Sequence, residues 1–149
     1  GSDPSGQIGQ ATKGATLLTK VAAEHVVGKR PHVSVFGSDY ATPDGTGVRD
    51  YIHVVDLATA HLKALDYLRA GGRSATMNCG YGHGYSVREV LAAAAQLLGR
   101  PVPHTLGAAR AGDPPELIAA ADKARQRLGF VAERSELPVL LEDALRSRR

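Results

Sequence analysis

The stretch from Ser86 to Gly99 limits the possible folds most, because it carries a complete helix signature. Ser86 and Glu89, three residues apart, form the pattern of a capping box, in which each side chain bonds the backbone N–H of the other. Apolar residues then recur at helical spacing up to Leu98, and Gly99 stands where a C-terminal cap belongs. The spacing therefore predicts an amphipathic helix that opens at Ser86 and closes at Gly99.

Four further stretches show helical spacing of apolar residues, and most of them end at a glycine. They predict helices over residues 17–26, 57–70, 122–128 and 136–146. Asp56 stands immediately before the second of these and is its expected N-cap. Residue composition also predicts three short strands, over 33–36, 51–55 and 74–80. Short mixed strands with about five helices indicate the α/β class.

Length and composition limit the class of protein. With 149 residues, 43% hydrophobic and 22% charged, the chain matches one ordinary globular domain. No apolar run approaches the roughly 20 residues that cross a bilayer, and no basic segment precedes an apolar one as in a secretory signal. These features predict a cytoplasmic protein with no membrane partner, in which the lone Cys79 belongs to the core.

The basic balance of the chain raises the question of nucleic-acid binding. The net charge is only +3, however, and the basic residues are scattered apart from a cluster at 146–149. Aromatic residues do not alternate with them, as they do in many nucleic-acid-binding surfaces. We therefore expect no nucleic-acid partner, although a basic nucleic-acid binder remains an alternative that DNA or RNA titration at several salt concentrations tests.

The most charged stretch, residues 39–61, places four aspartates, two histidines and Arg49 around a Pro-Asp-Gly turn. No spacing in the chain fits a zinc site, a calcium loop or a nucleophile elbow. Arg49 and Arg110 carry planar guanidinium groups suited to phosphate, and the carboxylate of Asp113 is suited to sugar hydroxyls. The residues leave two interpretations open: recognition of a phosphorylated polyol, or ordinary salt bridges.

Three blocks of the sequence are long and distinctive: KRPHVSVFGSDYATPDGTGVRDYIHVVDLATAHLKALDYL, NCGYGHGYSVREV and RAGDPPELIAAADKARQRLGF. In this order they resemble the C-terminal blocks of the UDP-glucose 4-epimerase family, which are extended short-chain dehydrogenase/reductases. The resemblance covers about residues 3–145. It implies a fold in which an N-terminal Rossmann half holds NAD and a smaller C-terminal portion grips the UDP of the substrate.

The resemblance also implies roles for six positions: Arg49, Arg110, Asp113, Ser34, Phe36 and Leu117. The two arginines match residues that bind the UDP diphosphate, and the aspartate matches the carboxylate that holds the ribose. The backbone of the serine and the phenylalanine matches the segment that lies against uracil. The leucine matches a position that shapes the sugar pocket.

Two motifs of the family have no counterpart in this chain. No dinucleotide loop is present, since the glycine run at 80–84 lacks a third glycine in register and favours a tight turn. No tyrosine has a lysine four residues on, so the acid/base pair of the family is missing. The resemblance thus implies a C-terminal portion without catalytic, cofactor or metal residues of its own, inactive alone, which works with NAD and a Rossmann half in the full-length enzyme.

Within that interpretation we expect an N-terminal loop over 1–14, a UDP-sugar-binding portion over 15–145 and a basic tail over 146–149. Residues 1–2 match a possible tag scar. The apolar faces of the helix over 56–69 and of the strand near 77–79 would lie against the Rossmann half, so we expect self-association of this chain alone. Two alternatives remain: a non-catalytic nucleotide-sugar-binding or interaction module, and part of a divergent epimerase for another UDP-sugar.

Overall fold

The computed structural model describes residues 2–10, 12, 14 and 16–147. This part of the chain contains five helices: α1 (Leu18–Val26), α2 (Val54–Arg69), α3 (Val87–Leu98), α4 (Asp122–Leu128) and α5 (Leu137–Arg146). It contains five short strands: β1 (Val33–Phe36), β2 (Val48–Asp50), β3 (Gly84–Ser86), β4 (His104–Gly107) and β5 (Glu116–Leu117). The predicted α/β class with five helices and short strands is confirmed.

The strands form two small sheets in the described part of the chain. In the first sheet β1 runs parallel to β4. In the second, β2 lies in the middle, antiparallel to β3 and parallel to β5. Arg49 at the centre of β2 is therefore flanked by Tyr85 of β3 and Leu117 of β5. These sheets carry four of the six predicted site residues: Ser34, Phe36, Arg49 and Leu117.

The main hydrophobic core lies between the first sheet and the helices α1, α3 and α5. It is built from the following buried residues: Val33, Val35, Val90, Leu91, Ala94, Val102, Leu137 and Leu141. A smaller cluster of Ala60, Ala124 and Phe130 lies where α2 contacts α4. The main core therefore supports β1, whereas α2 has only a small apolar support within the described residues.

The helix that opens at Ser86 has the predicted caps. Ser86 Oγ accepts the Glu89 N–H at 3.0 Å, and Glu89 Oε2 accepts the Ser86 N–H at 2.6 Å. Gly99 closes the helix in the left-handed conformation, with φ of 64°. The capping box and the glycine cap are confirmed, because both depend on residues a few positions apart.

The strand predicted over 51–55 is wrong. The chain pairs as β2 only up to Asp50, and α2 already begins at Val54. The N-cap of α2 is His53, whose Nδ1 accepts the Val55 N–H at 3.1 Å, so the expected capping role of Asp56 is also wrong. The β-branched composition of this stretch is outweighed by tertiary contacts that bury His53 and Asp56.

The strand predicted over 74–80 is also wrong, since within the described residues this segment pairs with no strand. A strand needs a neighbour for its backbone groups, and the described part of the chain offers none there. Four strands were not predicted: β2, which ends just before the predicted 51–55, and β3, β4 and β5. All four residues of β4 are exposed, so the sequence has no alternation there to indicate a strand.

The N-terminal segment packs against the end of α5. Ser2 Oγ lies 2.9 Å from Ser147 Oγ, and Arg146 Nη1 donates to the Pro4 carbonyl at 2.6 Å. Residues 2–10 form turns and bends without helix or strand, as expected of a loop. Residue 1 of the possible tag scar and residues 148 and 149 of the basic tail lie outside the described residues.

Candidate functional site

A cavity of about 580 Å³ opens between α1, β1, β2 and the loop before β5. Five of the six predicted site residues line it: Ser34, Phe36, Arg49, Arg110 and Asp113. Apolar side chains from α1 and α3 and the ring of Tyr51 form further parts of its wall. The volume falls within the range of about 300–1,000 Å³ that is typical of small-molecule sites.

Leu117 is the predicted site residue that the cavity does not include. It lies on β5 opposite Arg49 in the ladder, and 61% of its surface is exposed. Its expected role in shaping a sugar pocket stays a prediction.

Arg49 is held in place on β2 by three donated hydrogen bonds, the longest from its Nη1 to the Pro115 carbonyl at 3.5 Å. Its Nη1 donates to the Val48 carbonyl at 2.7 Å, and its Nη2 donates to Asp113 Oδ1 at 2.9 Å. A guanidinium has five N–H donors, so two remain for a ligand, one on Nη2 and one on Nε. The side chain is 26% exposed, which leaves it partly open to the cavity.

Arg110 is positioned differently, by stacking. Its guanidinium carbon lies 4.0 Å from the centroid of the Phe36 ring, a cation–π contact between the loop and the end of β1. A turn closed by the Asp113 N–H and the Arg110 carbonyl at 3.2 Å sets the loop. Within the described residues no carboxylate pairs with Arg110, so its charge is not offset as that of Arg49 is.

The free edge of β1 presents backbone groups beside the cavity. Val33 and Gly37 donate their N–H groups to Pro103 and Gly107 on the β4 side. Backbone groups alternate in direction along a strand, so those of Ser34 and Phe36 point away from β4. In the described part of the chain, no second strand pairs with that edge, which leaves two donor and acceptor pairs for a planar polar ligand.

Tyr51 is a cavity residue that the sequence reasoning missed. It follows Arg49 by two positions in extended chain, a spacing that puts side chains on one face and could have identified it. Burial raises the pKa of Tyr51 to about 12, so its hydroxyl stays protonated at neutral pH. The ring also lines a second cavity of about 290 Å³ between the N-terminal segment, α2 and α5.

The aspartates of the charged stretch mainly organise loops. Asp44 accepts the Thr46 N–H at 2.9 Å and the hydroxyl of Ser86. Burial raises the pKa of Asp44, but these hydrogen bonds outweigh it and hold the pKa below the ordinary value. Asp56 accepts the Ser135 hydroxyl at 2.6 Å and the Arg134 N–H at 2.9 Å. Both carboxylates serve the fold.

The contacts of Asp50 decide whether the glycine loop at residues 80–84 could bind a dinucleotide. Its carboxylate accepts the N–H groups of Tyr81 and Gly82, each at 2.9 Å, and of Ala119 at 3.2 Å. A Cβ on Gly80 would lie 2.6 Å from the same carboxylate. Amides engaged in this way, beside a negative charge, do not fit the pyrophosphate of NAD. The loop is a tight turn tied to β2.

A buried histidine joins α2 to α5. His53 Nε2 lies 3.2 Å from Asp143 Oδ2, although the contact lacks hydrogen-bond geometry. Burial lowers the pKa of His53, against the opposing effect of the Asp143 carboxylate. The ring is therefore neutral at pH 7, with Nδ1 as the acceptor that caps α2. His53 does not line the larger cavity.

Residues 2–10, 12, 14 and 16–147 contain no group of three or more histidine, cysteine, aspartate or glutamate side chains that could hold a metal ion. No helix in that part of the chain is long and apolar enough to span a membrane.

The chain is similar to known proteins over nearly its whole length. The profile of the NAD dependent epimerase/dehydratase family matches residues 4–80. A UDP-glucose 4-epimerase from Azospirillum brasilense is 52% identical over 145 residues, which are 97% of this chain and 42% of the relative. A second UDP-glucose 4-epimerase, from Lacticaseibacillus casei, is 43% identical over 97% of this chain and 44% of its own length.

Two solved structures show the same fold. The UDP-glucose 4-epimerase of Stenotrophomonas maltophila, with bound NAD and formylated UDP-arabinopyranose, has a TM-score of 0.94 at 40% identity. That of Bifidobacterium longum, in complex with NAD+ and UDP, has a TM-score of 0.90 at 40% identity. This chain is covered to 99% in both comparisons, and it spans 44% of each of those chains.

Proposed function

The chain belongs to the NAD dependent epimerase/dehydratase family, and on that premise we propose that it is the UDP-binding portion of a UDP-glucose 4-epimerase. One observation carries the proposal: Ser34, Phe36, Arg49, Arg110 and Asp113, from distant parts of the sequence, line one cavity. Residues that merely formed scattered salt bridges would have no reason to meet there. The proposal concerns binding, and the reaction belongs to the whole enzyme.

The diphosphate lies between Arg49 and Arg110 in this proposal. The free donors of Arg49 and the unpaired charge of Arg110 suit two phosphate groups. Guanidinium groups bind phosphate through parallel N–H bonds, which fix orientation as well as affinity. Asp113 accepts the ribose hydroxyls, since its Oδ2 has no protein partner within the described residues.

Uracil lies against the free edge of β1. A pyrimidine ring with a carbonyl and an N–H matches the outward backbone groups of Ser34 and Phe36. The backbone is fixed on its other side by β4, so the edge is already ordered before a ligand arrives. Preorganisation of this kind reduces the entropy cost of binding.

NAD is supplied from outside this chain in the proposal, because the glycine loop does not fit a pyrophosphate. In the whole epimerase, NAD held outside this chain would supply hydride-transfer chemistry at the sugar. This chain positions the nucleotide sugar, and binding energy from the remote UDP group helps orient the reacting centre. The chain alone is therefore expected to bind UDP without epimerising UDP-glucose.

The exposed apolar face of α2 is the surface for the rest of the enzyme. It comprises Val54, Leu62, Leu65 and Leu68, which are between 43% and 64% exposed. These residues recur at helical spacing and form one stripe along α2. A stripe of this kind on an isolated chain favours association, either with the missing portion or with another copy.

Calorimetric titration with UDP tests the proposed function. We expect saturable binding by the unmutated chain and at least a tenfold loss in the double variant Arg49→Ala, Arg110→Ala, since each charge-assisted phosphate contact contributes about 1.5–3 kcal/mol. The double variant Arg69→Ala, Arg125→Ala removes the same charge from exposed helix positions and should bind as the unmutated chain does. A folded chain that ignores UDP would overturn the proposal.

A further inference from the structure

We propose that Asp113 makes the cavity selective for a nucleoside diphosphate over phosphate anions without a ribose, by offsetting the charge of Arg49. The inference rests on the proposed function and adds a second role to Asp113. The first role, acceptance of ribose hydroxyls, concerns its Oδ2. The second concerns Oδ1, which is bound to Arg49.

The two oxygens of the Asp113 carboxylate have different surroundings. Asp113 Oδ1 lies 2.9 Å from Arg49 Nη2, in a contact that is both an ion pair and a hydrogen bond. Oδ2 has no protein partner within the described residues, and the Asp113 side chain is 38% exposed. The carboxylate is thus in contact with the phosphate-binding group on one side and open to the cavity on the other.

The charge next to Arg49 affects any anion that binds there. A phosphate that contacts the guanidinium also comes within a few ångströms of the Asp113 carboxylate, and the two negative charges repel. A ligand that carries a ribose offsets this repulsion by donating its hydroxyl hydrogens to Oδ2. A phosphate without a ribose donates no hydrogen bond to Oδ2, so nothing offsets the repulsion and its affinity is lower.

The two arginines of the cavity differ in whether a carboxylate offsets their charge. Arg110 stacks on the Phe36 ring, and the ring does not offset its charge. Arg49 is instead paired with a carboxylate in the same cavity. If maximal attraction for phosphate were the purpose, a carboxylate at contact distance would be counterproductive. Its position is explained when the ligand carries hydroxyl groups beside its phosphates.

The variant Asp113→Asn tests the inference, because it keeps the shape and the Oδ1 acceptor and removes the charge. The unmutated chain and the variant are each titrated with UDP and with inorganic pyrophosphate. We expect pyrophosphate to bind roughly two- to fivefold more tightly to the variant, the size expected from partly exposed charge pairs. The ratio of UDP to pyrophosphate affinity should fall by roughly tenfold, because the charged ribose acceptor is lost as well.

Asp66→Asn is the matched control. It removes the same charge from an exposed ion pair with Arg69, at 3.8 Å, outside the residues that line the cavity. It should leave pyrophosphate affinity unchanged, which separates the local effect from that of net charge. When Asp113→Asn is made in an Arg49→Ala background, the gain in pyrophosphate affinity should be smaller, since without Arg49 the anion is no longer held beside Asp113. Asp113→Ser provides a second uncharged variant should the asparagine chain fail to fold.

The outcomes distinguish the inference from the proposed function. Tighter pyrophosphate binding by Asp113→Asn, dependent on Arg49, supports the selectivity role. Unchanged or weaker pyrophosphate binding in a variant that still binds UDP overturns this role and leaves the proposed function intact. A folded, unmutated chain that binds neither ligand overturns both.

Discussion

The cavity side and the α2 side of this chain differ in where their partners lie. On the cavity side, β1 packs on the main core, and the Phe36 ring at its end contacts Arg110 of the same chain. On the α2 side, a small apolar cluster covers one face of the helix, while the stripe from Val54 to Leu68 is exposed. The comparison teaches that one chain can line a cavity with polar residues from several elements while an apolar surface beside it stays exposed.

The largest expected effect is on the free energy of unfolding, and a matched pair of leucines tests it. Leu141 is 2% exposed in the main core, whereas Leu65 is 43% exposed on α2. Leu141→Ala should lower the free energy of unfolding by about 2–5 kcal/mol, because it leaves a cavity among buried neighbours. Leu65→Ala should change it by less than about 0.5 kcal/mol. Urea unfolding followed by circular dichroism measures both, and equal losses would refute the contrast.

The pH dependence of stability tests the contact between α2 and α5. His53, which caps α2, lies against Asp143 of α5 there. The pKa of His53 is lowered from 6.5 by burial, so in the unfolded chain the imidazole takes up a proton first as pH falls. Stability is therefore unaffected above the unfolded pKa and lost as pH falls below it, since protonation also removes the Nδ1 acceptor that caps α2. We expect stability to fall progressively as the pH drops through 6.5, the ordinary pKa of histidine.

His53→Asn is the control for this pH dependence, because asparagine is a good N-cap that does not titrate. Its unfolding free energy should be flatter around pH 6.5, measured by urea unfolding at each pH. The lowered pKa values of Glu24 and Asp44 affect stability only nearer their ordinary values of 4.5 and 3.8, below that pH. A parallel pH profile in the two proteins would assign the effect to another group.

The smallest effect on stability is expected for the double variant Leu62→Glu, Leu65→Glu. It should change the unfolding free energy by less than about 0.5 kcal/mol, since both residues are exposed, yet abolish concentration-dependent association. Light scattering after size-exclusion chromatography measures the association. Ala92→Glu with Gln96→Glu adds the same charge to exposed positions of α3 and should leave association unchanged. An unmutated chain that stays monomeric at all concentrations would contradict the expectation.

Local signals in the sequence predicted several elements correctly. The caps of α3, the bounds of α4 and the glycine that ends it, and the start of α5 after Glu136 all follow from residues a few positions apart. The two wrongly predicted strands, over 51–55 and 74–80, lie where local composition does not decide the secondary structure. Val54 and Val55 favour a strand by propensity, but the buried His53 begins a helix instead.

The sequence indicated several residues that the structure brings to one cavity, but not their contacts. The quoted blocks identified five residues that line the cavity, but Tyr51 was missed and Leu117 lies outside it. Nothing in the sequence indicated that Asp113 binds Arg49 or that Arg110 stacks on Phe36. Both contacts join segments that are remote along the chain, where spacing carries no information.

The sequence by itself determined the α/β class, the capped helix α3 and the types of residue suited to phosphate and ribose. It did so because capping, helical periodicity and side-chain chemistry are local properties. Only the tertiary structure decided that Arg49 and Arg110 share one cavity, that Asp50 occupies the amides of the glycine loop, and that α2 keeps an exposed apolar face. These depend on strand pairing and core packing between distant segments, which no local pattern specifies.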